Sequence, residues 1–339
     1  MTVVIRVDAD PVIGSGHFMR MIALAQLLRD HGREVHVVTA CRNELCDAYL
    51  AEERLPVHTI PPGADTAADA HALRTVAATL DATWVVLDGA KFVETYQRTV
   101  REGGHRVMSV DDYALGHFVS DVVLNQNYGT EAFAYSTEPY TTRLLGIHHV
   151  LLRREFRAMT PPARDARKRS LNVLVTLGGA RKPGLLPHAL EAALAGGGDV
   201  SVTLVVGAFQ ALEADLEAVC RRAGARVSVV RQNRRMAEVM AWADAAIAGA
   251  GSTMWELLYM RVPFLAVPLD PAHEPFVDRM AVDGLCARGP ATRALSGPEL
   301  AERASAFLSD AGARAAILAR SANLVDPRRA WRTLDAVLV

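Results

Sequence analysis

The chain is short of cysteine, has no excess of either charge and contains no long apolar run, and each shortage removes a class of answers. Only Cys41, Cys46, Cys220 and Cys286 occur in 339 residues. One lone C-x4-C pair without companion histidines supports neither a disulfide framework nor a metal knuckle. Lys plus Arg, at 37, nearly cancels Asp plus Glu, at 38, so there is no electrostatic case for nucleic acid. No run of about 18 apolar residues exists, and no membrane span is expected. The opening "MTVVIRVDAD" reads as a strand, without the basic and apolar regions of a signal peptide. No repeat of about 20–50 residues is visible. The expectation is a cytoplasmic protein.

What is present is a regular alternation. Half of the residues are hydrophobic. Short Val/Ile/Leu runs alternate with Ala/Leu/Arg stretches of helical period, the pattern of an α/β protein whose strands are buried on both faces of a parallel sheet. Strands are expected at 2–7, 34–39, 84–88, 106–110 and 121–125. "FMRMIALAQLLRDHG" between the first two predicts an amphipathic helix stopped by Gly32. A second series runs through 170–179, 200–207, 225–230, 244–251 and 262–268. Between the series, "LLRREFRAMTPPARDARKRS" combines a double proline with many arginines, which suits a linker whose charges face solvent. The resulting division is a first domain at 1–152, a linker at 153–169 and a second domain at 170–339. Each domain opens with a strand running into glycines, as nucleotide-binding α/β domains do, and a ligand is expected beyond the strand ends, in a cleft between domains.

The chemistry-bearing residues cluster at those strand ends. In "DADPVIGSGHFMR", Gly14 and Gly16 permit positive φ and close backbone approach, and the following helix start offers N–H groups to an anion. His17 falls on the first turn of that helix, where an imidazole takes a proton near neutral pH or donates to a phosphate. The positive helix end is expected to lower its pKa and keep it neutral. A turn that only caps the helix is the plainer alternative. "TLGGARKPG" is a second such turn, in which Gly178, Gly179, Arg181 and Lys182 suit a diphosphate, or make an ordinary strand-to-helix turn. "AGAGSTMWELL" is the most specific stretch: Gly249, Gly251, Ser252 and Thr253 form a helix start, with Glu256 one turn on. A carboxylate there accepts both hydroxyls of a ribose, or merely complements the helix dipole. Asp88, Asp111 and Asp112, with Asn125 in "LNQN", end other strands of the first half, as site residues or as turn caps.

Together "RVDADPVIGSGHFMRMIALAQLL", "VSVDDYA", "LNQN", "LLRREF", "VTLGG" and "AGAGSTMWELL" resemble the UDP-sugar hydrolases of pseudaminic acid biosynthesis. Their wider kin include the lipid II N-acetylglucosaminyltransferase. The resemblance keeps its order over nearly the whole chain. It implies the GT-B fold, two Rossmann-like domains with parallel sheets facing across a cleft. It places the family's catalytic histidine, in its G-x-G-H-x-x-R motif, on His17. The nucleotide turns fall on Gly178–Gly179 and Gly249–Thr253, and the ribose-binding acid on Glu256. Two departures border the sugar or the attacking group. Asp88-Gly89-Ala90 stands where the hydrolases often have Asp-His-Tyr or Asp-Gly-Tyr. "PLDPAHEPF", with His273 and Glu274, stands where they commonly have Asn-Gln.

The implied reaction breaks the bond between an anomeric carbon and a diphosphate through an oxocarbenium-like transition state. The donor is a nucleotide-diphosphate sugar, a UDP-sugar by resemblance, and no cofactor is implied. No D-x-D or carboxylate cluster is evident beside the phosphate turns, so no metal is expected. The room and polarity at Ala90, His273 and Glu274 favour an inverting glycosyltransferase with a small-molecule acceptor. The alternative is a hydrolase with water in that role. A catalytically silent binding protein and a GT-B epimerase are weaker readings, because His17 and Glu256 are retained and the epimerase's further acids and histidines are not.

Overall fold

The computed structural model of this chain describes residues 1–179, 184–196, 199–210, 212–231 and 233–338. They form two compact units: Met1–Asp10 with His17–Arg154 and the chain from Asp326 onward, and Pro11–Gly16 with Glu155–Val325.

The first unit contains β1 (Thr2–Val7), β2 (Glu34–Thr39), β3 (Val57–Thr59), β4 (Trp84–Asp88), β5 (Arg106–Val110), β6 (His117–Phe118), β7 (Val122–Asn125), β8 (Ser136–Thr137) and β9 (Thr142–Leu145). Among the described residues, seven of these form one sheet in the order β3-β2-β1-β4-β5-β7-β9, and β6 pairs with β8. Every pairing in the seven-stranded sheet is parallel. Val3, Val4, Ile5 and Val7 are all buried, as unbroken apolar strands must be when both faces are covered. The chain lays β2 and β3 on one side of β1, then returns to place β4 on the other. Winding reverses there, and the carboxyl ends of β1, β4 and β5 emerge side by side on one edge.

The second unit repeats the plan with β10 (Leu171–Thr176), β11 (Val200–Val206), β12 (Val227–Arg231), β13 (Ala245–Gly249), β14 (Phe264–Val267) and β15 (Ala287–Arg288). Their order is β12-β11-β10-β13-β14-β15, again parallel throughout. Here β10 and β13 flank the reversal, so both glycine turns of this unit leave its carboxyl edge. The helices are α1 (Gly16–Asp30), α2 (Glu44–Glu52), α3 (Thr66–Thr79), α4 (Glu94–Arg101), α5 (Arg154–Arg157), α6 (Leu185–Leu194), α7 (Ala214–Ala223), α8 (Met236–Trp242), α9 (Thr253–Tyr259), α10 (Glu274–Val282), α11 (Gly297–Ser309), α12 (Ala311–Ser321) and α13 (Pro327–Val337). Ala189, Leu190 and Ala193 of α6 and Leu300, Ala304 and Phe307 of α11 share one core with Val173, Val175, Val202 and Leu204 of the sheet.

Each strand read from the sequence has a counterpart, but four expectations change. The short β3, β6, β8, β9 and β15 were not foreseen, because segments such as "VHT" and "TRLL" carry too little pattern. Helix α1 is not amphipathic: Arg20 through Leu28 are buried without interruption, as in a helix that is apolar all round. Its Gly32 does close it, at φ 75°. The arginine-rich stretch is not simply solvated either. Arg153 is buried and donates to the Tyr49 hydroxyl at 3.0 Å, while Arg154 grips Asp30 at 2.7 Å and Glu53 at 2.8 Å. Phe156 is fully buried. Arg164 donates to the Met240, Ala243 and Arg261 carbonyls at the ends of α8 and α9, the favourable place for a cation on a helix. A charge count cannot show which carbonyls a charge will meet. Finally, the residues from 326 onward, assigned by sequence to the second domain, group with the first unit: Trp331 stacks on His31 with ring centroids 3.6 Å apart, and Asp335 pairs with Arg33 at 3.4 Å.

Strand β1 carries one residue that an apolar strand should not. Arg6 is fully buried, which is tolerable only if every donor is met. It donates to Asp8 at 2.6 and 2.8 Å and to Asp69 of α3 at 3.1 and 2.7 Å. Lys91 bridges the same two carboxylates at 2.8 and 2.9 Å, and Tyr96 of α4 donates to Asp69 at 2.6 Å. Asp8 also accepts from the Thr39 hydroxyl and the Ala40 N–H. The cluster therefore ties β1, β2, α3 and α4 together. Burial alone would raise the Asp69 carboxyl, but the hydrogen bonds from Arg6 and Tyr96 and the Arg6 charge hold it down from 3.8 to about 2.

Removing one member of such a network leaves buried charge uncompensated. Asp69→Ala is expected to cost about 3–5 kcal/mol in urea unfolding at pH 7. Because the native carboxyl is depressed, its contribution is present above its ordinary 3.8 and fades as pH falls toward about 2. The gap between wild type and Asp69→Ala should accordingly shrink between pH 4 and pH 2, and a gap that stays constant there would contradict the assignment.

Candidate active site

The carboxyl edge of the first sheet collects residues remote in sequence. Asp88 is the last residue of β4, in register with Val7 of β1 and Val110 of β5. Asp112 follows β5 by two positions, and His17 and Arg20 lie on the first turns of α1, which follows β1. Neighbouring parallel strands run about 4.8 Å apart, so these side chains reach one another. The His17 Nδ1 lies 2.6 Å from Asp88 Oδ1. Arg20 donates to Asp88 through Nε, at 2.6 Å, and Nη2, at 2.7 Å. It donates to Asp112 through Nη1, at 2.6 Å, and Nη2, at 2.9 Å. Asn127 donates to Asp112 at 2.9 Å. His17 Nδ1 and Arg20 Nη2, 3.1 Å apart, both converge on Asp88 Oδ1.

An ionised carboxylate only accepts, so the short contact to Asp88 places the ring proton of His17 on Nδ1. Its Nε2 then carries the lone pair. Burial pulls the imidazole down, but the charge of Asp88 and its hydrogen bond outweigh burial and raise His17 above 6.5. The expected lowering by the helix end is thus reversed, because a carboxylate in direct contact acts more strongly than a partial helix charge. Burial works against Asp88 and Asp112 as well, yet Arg20 lowers Asp88 and holds Asp112 well below the ordinary carboxylate range. Asp88 is therefore no turn cap but one arm of an ionic cluster.

Asp111 and Asn125 occupy a neighbouring layer. Asp111 accepts from the Tyr135 hydroxyl at 2.6 Å and the Ala114 N–H at 2.7 Å, and burial raises its carboxyl. Asn125 is fully buried, donates to Tyr135 at 2.8 Å and accepts the Asn127 N–H at 3.0 Å. Its amide thereby supports Asn127, which in turn holds Asp112.

In the second unit, Gly178 sits at φ 80° and Gly14, on the Pro11–Gly16 loop, at φ 76°. A Cβ on Gly179 would lie 2.9 Å from the Ser15 backbone nitrogen, so that position tolerates no side chain. The would-be Cβ of Gly16 comes 3.9 Å from the Ser252 Oγ, whereas Gly251 has open space. Ser252 precedes α9 without a side-chain cap bond to it. Thr253 opens that helix and Glu256 lies within its first turn, half-buried. Arg181 and Lys182 lie outside the described residues. His273 ends a short turn before α10 and is half-buried. Glu274, expected at the sugar, is held by its own unit: it accepts from Thr292 N–H at 2.9 Å and pairs with Arg288 at 3.3 Å.

Arg20, the arginine of the G-x-G-H-x-x-R motif, lies three residues after His17 in an apolar helix, a spacing that puts both on one face, but the motif does not tell that its partners are Asp88 and Asp112. Contrary to the expectation from the sequence, Asp8-Ala9-Asp10 is a D-x-D beside the first glycine turn. Asp8, however, is already occupied by Arg6 and Lys91. Among the described residues no group of three or more His, Cys, Asp or Glu is arranged to hold a metal ion, and no helix is long and apolar enough to cross a membrane.

The chain is similar in structure to Acinetobacter baumannii MurG, with a TM-score of 0.65 at 17% identity over 99% of each chain. It is also similar to the spinosyn rhamnosyltransferase SpnG complexed with thymidine diphosphate, with a TM-score of 0.64 at 16% identity over 98% of this chain and 99% of that one. The fold is thus α/β of the GT-B kind, as the resemblance implied. Within it, residues 173–278 match the glycosyltransferase family 28 C-terminal domain, a stretch that includes both glycine turns of the second unit and Glu256. The uncharacterized protein MJ1062 of Methanocaldococcus jannaschii is 22% identical over 275 residues, 79% of this chain; the chain spans about half of that relative, 55% of its length.

The glycines divide by need. Gly14→Ala, forced to keep a left-handed backbone, is expected to lower stability by about 1–2 kcal/mol. Gly251→Ala, with space and ordinary φ, should remain within about 0.5 kcal/mol of wild type. Equal losses in denaturant unfolding would show that the first turn is not conformationally demanding.

Proposed function

We propose that the protein is an inverting glycosyltransferase that takes a UDP-sugar donor and a small-molecule acceptor bearing a hydroxyl. The observation that carries the reading is the His17–Asp88 contact, which fixes a proton on Nδ1 and leaves Nε2 as a base. In the proposed reaction Nε2 removes the acceptor's hydroxyl proton. The acceptor oxygen bonds to the anomeric carbon while that carbon's bond to the diphosphate oxygen breaks, and the nucleoside diphosphate leaves with the bonding pair. Asp88 stabilises the imidazolium that forms, much as a carboxylate does for the histidine of a hydrolytic triad.

The roles proposed for the second unit rest on residue type and on the family 28 match. Gly178, Gly179, Gly249, Gly251, Ser252 and Thr253 supply backbone and hydroxyl donors to the diphosphate, with the Gly14–Gly16 loop beside them. Glu256 takes the ribose hydroxyls. For sugar or acceptor recognition the candidates by residue type are Asp112 and Ala90 in the first unit and His273 in the second. The ordered resemblance to the pseudaminic-pathway hydrolases favours a second reading, in which water replaces the acceptor hydroxyl. Mass spectrometry of products from UDP- and dTDP-sugars separates the two: a glycoside formed only with acceptor present supports transfer, and free sugar formed at the same rate without acceptor supports hydrolysis. No release of nucleoside diphosphate from any donor would remove both.

His17→Ala is expected to lower turnover ~10²–10⁴-fold, and His17→Asn nearly as much, with nucleoside diphosphate affinity by calorimetry little changed. A base acts when deprotonated, and His17 is raised above 6.5. The acid limb of kcat/KM should therefore lie above pH 6.5, with rate rising as pH increases through it. Full activity persisting at pH 5.5 would exclude the role. Glu256→Ala is expected to weaken nucleotide binding by about 1.5–3 kcal/mol, and unchanged affinity would remove Glu256 from the site.

A further inference from the structure

Arg20 is buried, and its guanidinium spans two carboxylates, Asp88 at the end of β4 and Asp112 beyond β5. The donors are distributed so that Nε and Nη1 serve one carboxylate each and Nη2 serves both. Such forked, charge-assisted geometry fixes both carboxylates against rotation. The carboxylates outnumber the guanidinium by one, so the set of four side chains is neutral only when His17 carries a second proton. Loss of Arg20 would leave the imidazole facing two unopposed negative charges. Loss of the Asp112 charge would leave Asp88 and Arg20 balanced without it.

We propose that Arg20 is the positioning residue of this site: by gripping Asp88 and Asp112 together it fixes the Asp88 oxygen on His17 Nδ1 and sets the charge balance that a proton arriving on Nε2 restores. The inference rests on the reading of His17 as the base. The charged groups acting on the imidazole are Asp88 from β4, Arg20 from the same helix and Asp112 from the segment after β5. Arg20 opposes protonation of His17 and Asp112 favours it. Arg20 thereby limits how far the two carboxylates raise the imidazole, and its own charge is held in place by the carboxylates it joins.

The test is the protonation midpoint of His17 by imidazole ¹⁵N NMR, with its resonance assigned by comparison with His17→Gln. Asp112→Asn, close to isosteric, is expected to shift the midpoint to lower pH, and Arg20→Gln to shift it to higher pH, each by on the order of one pH unit. The acid limb of kcat/KM should move with it, so that Arg20→Gln is slow at pH 7 and recovers part of its rate toward pH 9. A merely structural role would not produce shifts of opposite sign. If Arg20→Gln fails to fold, Asp112→Asn decides alone: an unmoved midpoint, or a rise, overturns the proposal. Midpoints that move as expected while the rate profile does not follow would leave the positioning role standing and remove His17 as the base.

Discussion

A charge buried in an apolar unit must meet its opposite, and in the first unit two arginines impose that constraint. Arg6 and Arg20 are both buried and each binds two aspartates. The difference lies in what completes the set. Around Arg6, Lys91 brings the positive charges equal to the negative ones, and Tyr96, Thr39 and the Ala40 N–H occupy further lone pairs. That cluster is closed and serves the fold. Around Arg20, the missing positive charge belongs to a histidine, which acquires it only by taking a proton. That cluster is open, and openness is what general base chemistry requires.

Both clusters depend on the parallel sheet. With β1 between β2 and β4, the segments after β1, β4 and β5 leave from one edge. Asp8, Asp88 and Asp112 all lie at or just beyond the ends of their strands. The second unit, wound in the same sense, leaves its glycine turns after β10 and β13 on the corresponding edge. Repetition of one plan therefore supplies two different edges, one rich in acid–base groups and one rich in backbone donors. The family 28 match covers the second, and the acid–base cluster belongs to the first.

The alternation of apolar runs with helical stretches was legible because it is local: burial on both faces writes itself into every Val/Ile/Leu strand, whatever its neighbours. Gly32 and Gly14 were legible as stops and turns for the same reason, each requiring a backbone that L-residues disfavour. The misreadings are equally instructive. Arg153, Arg154 and Arg164 looked like solvated charge, but their partners are Tyr49, Asp30, Glu53 and helix-end carbonyls, none of them adjacent in the chain. Glu274, a candidate at the sugar, meets Arg288 and Thr292 of its own unit, contacts that its sequence neighbours do not announce. A side chain's type limits what it can bind, and packing decides what it does bind.

By itself the sequence determined the α/β class, the strands, the glycine turns and the position of a histidine at the start of α1, because periodicity and backbone preference act over a few residues. Only the tertiary structure decided that His17 acts on a carboxylate from 71 positions away and that Arg20 joins partners 68 and 92 positions along the chain. Those meetings follow from which strands are neighbours, and strand order is a property of the whole sheet. The direction of the His17 shift was decided there too, since it depends on a charge that β4 delivers and not on the helix that carries the ring.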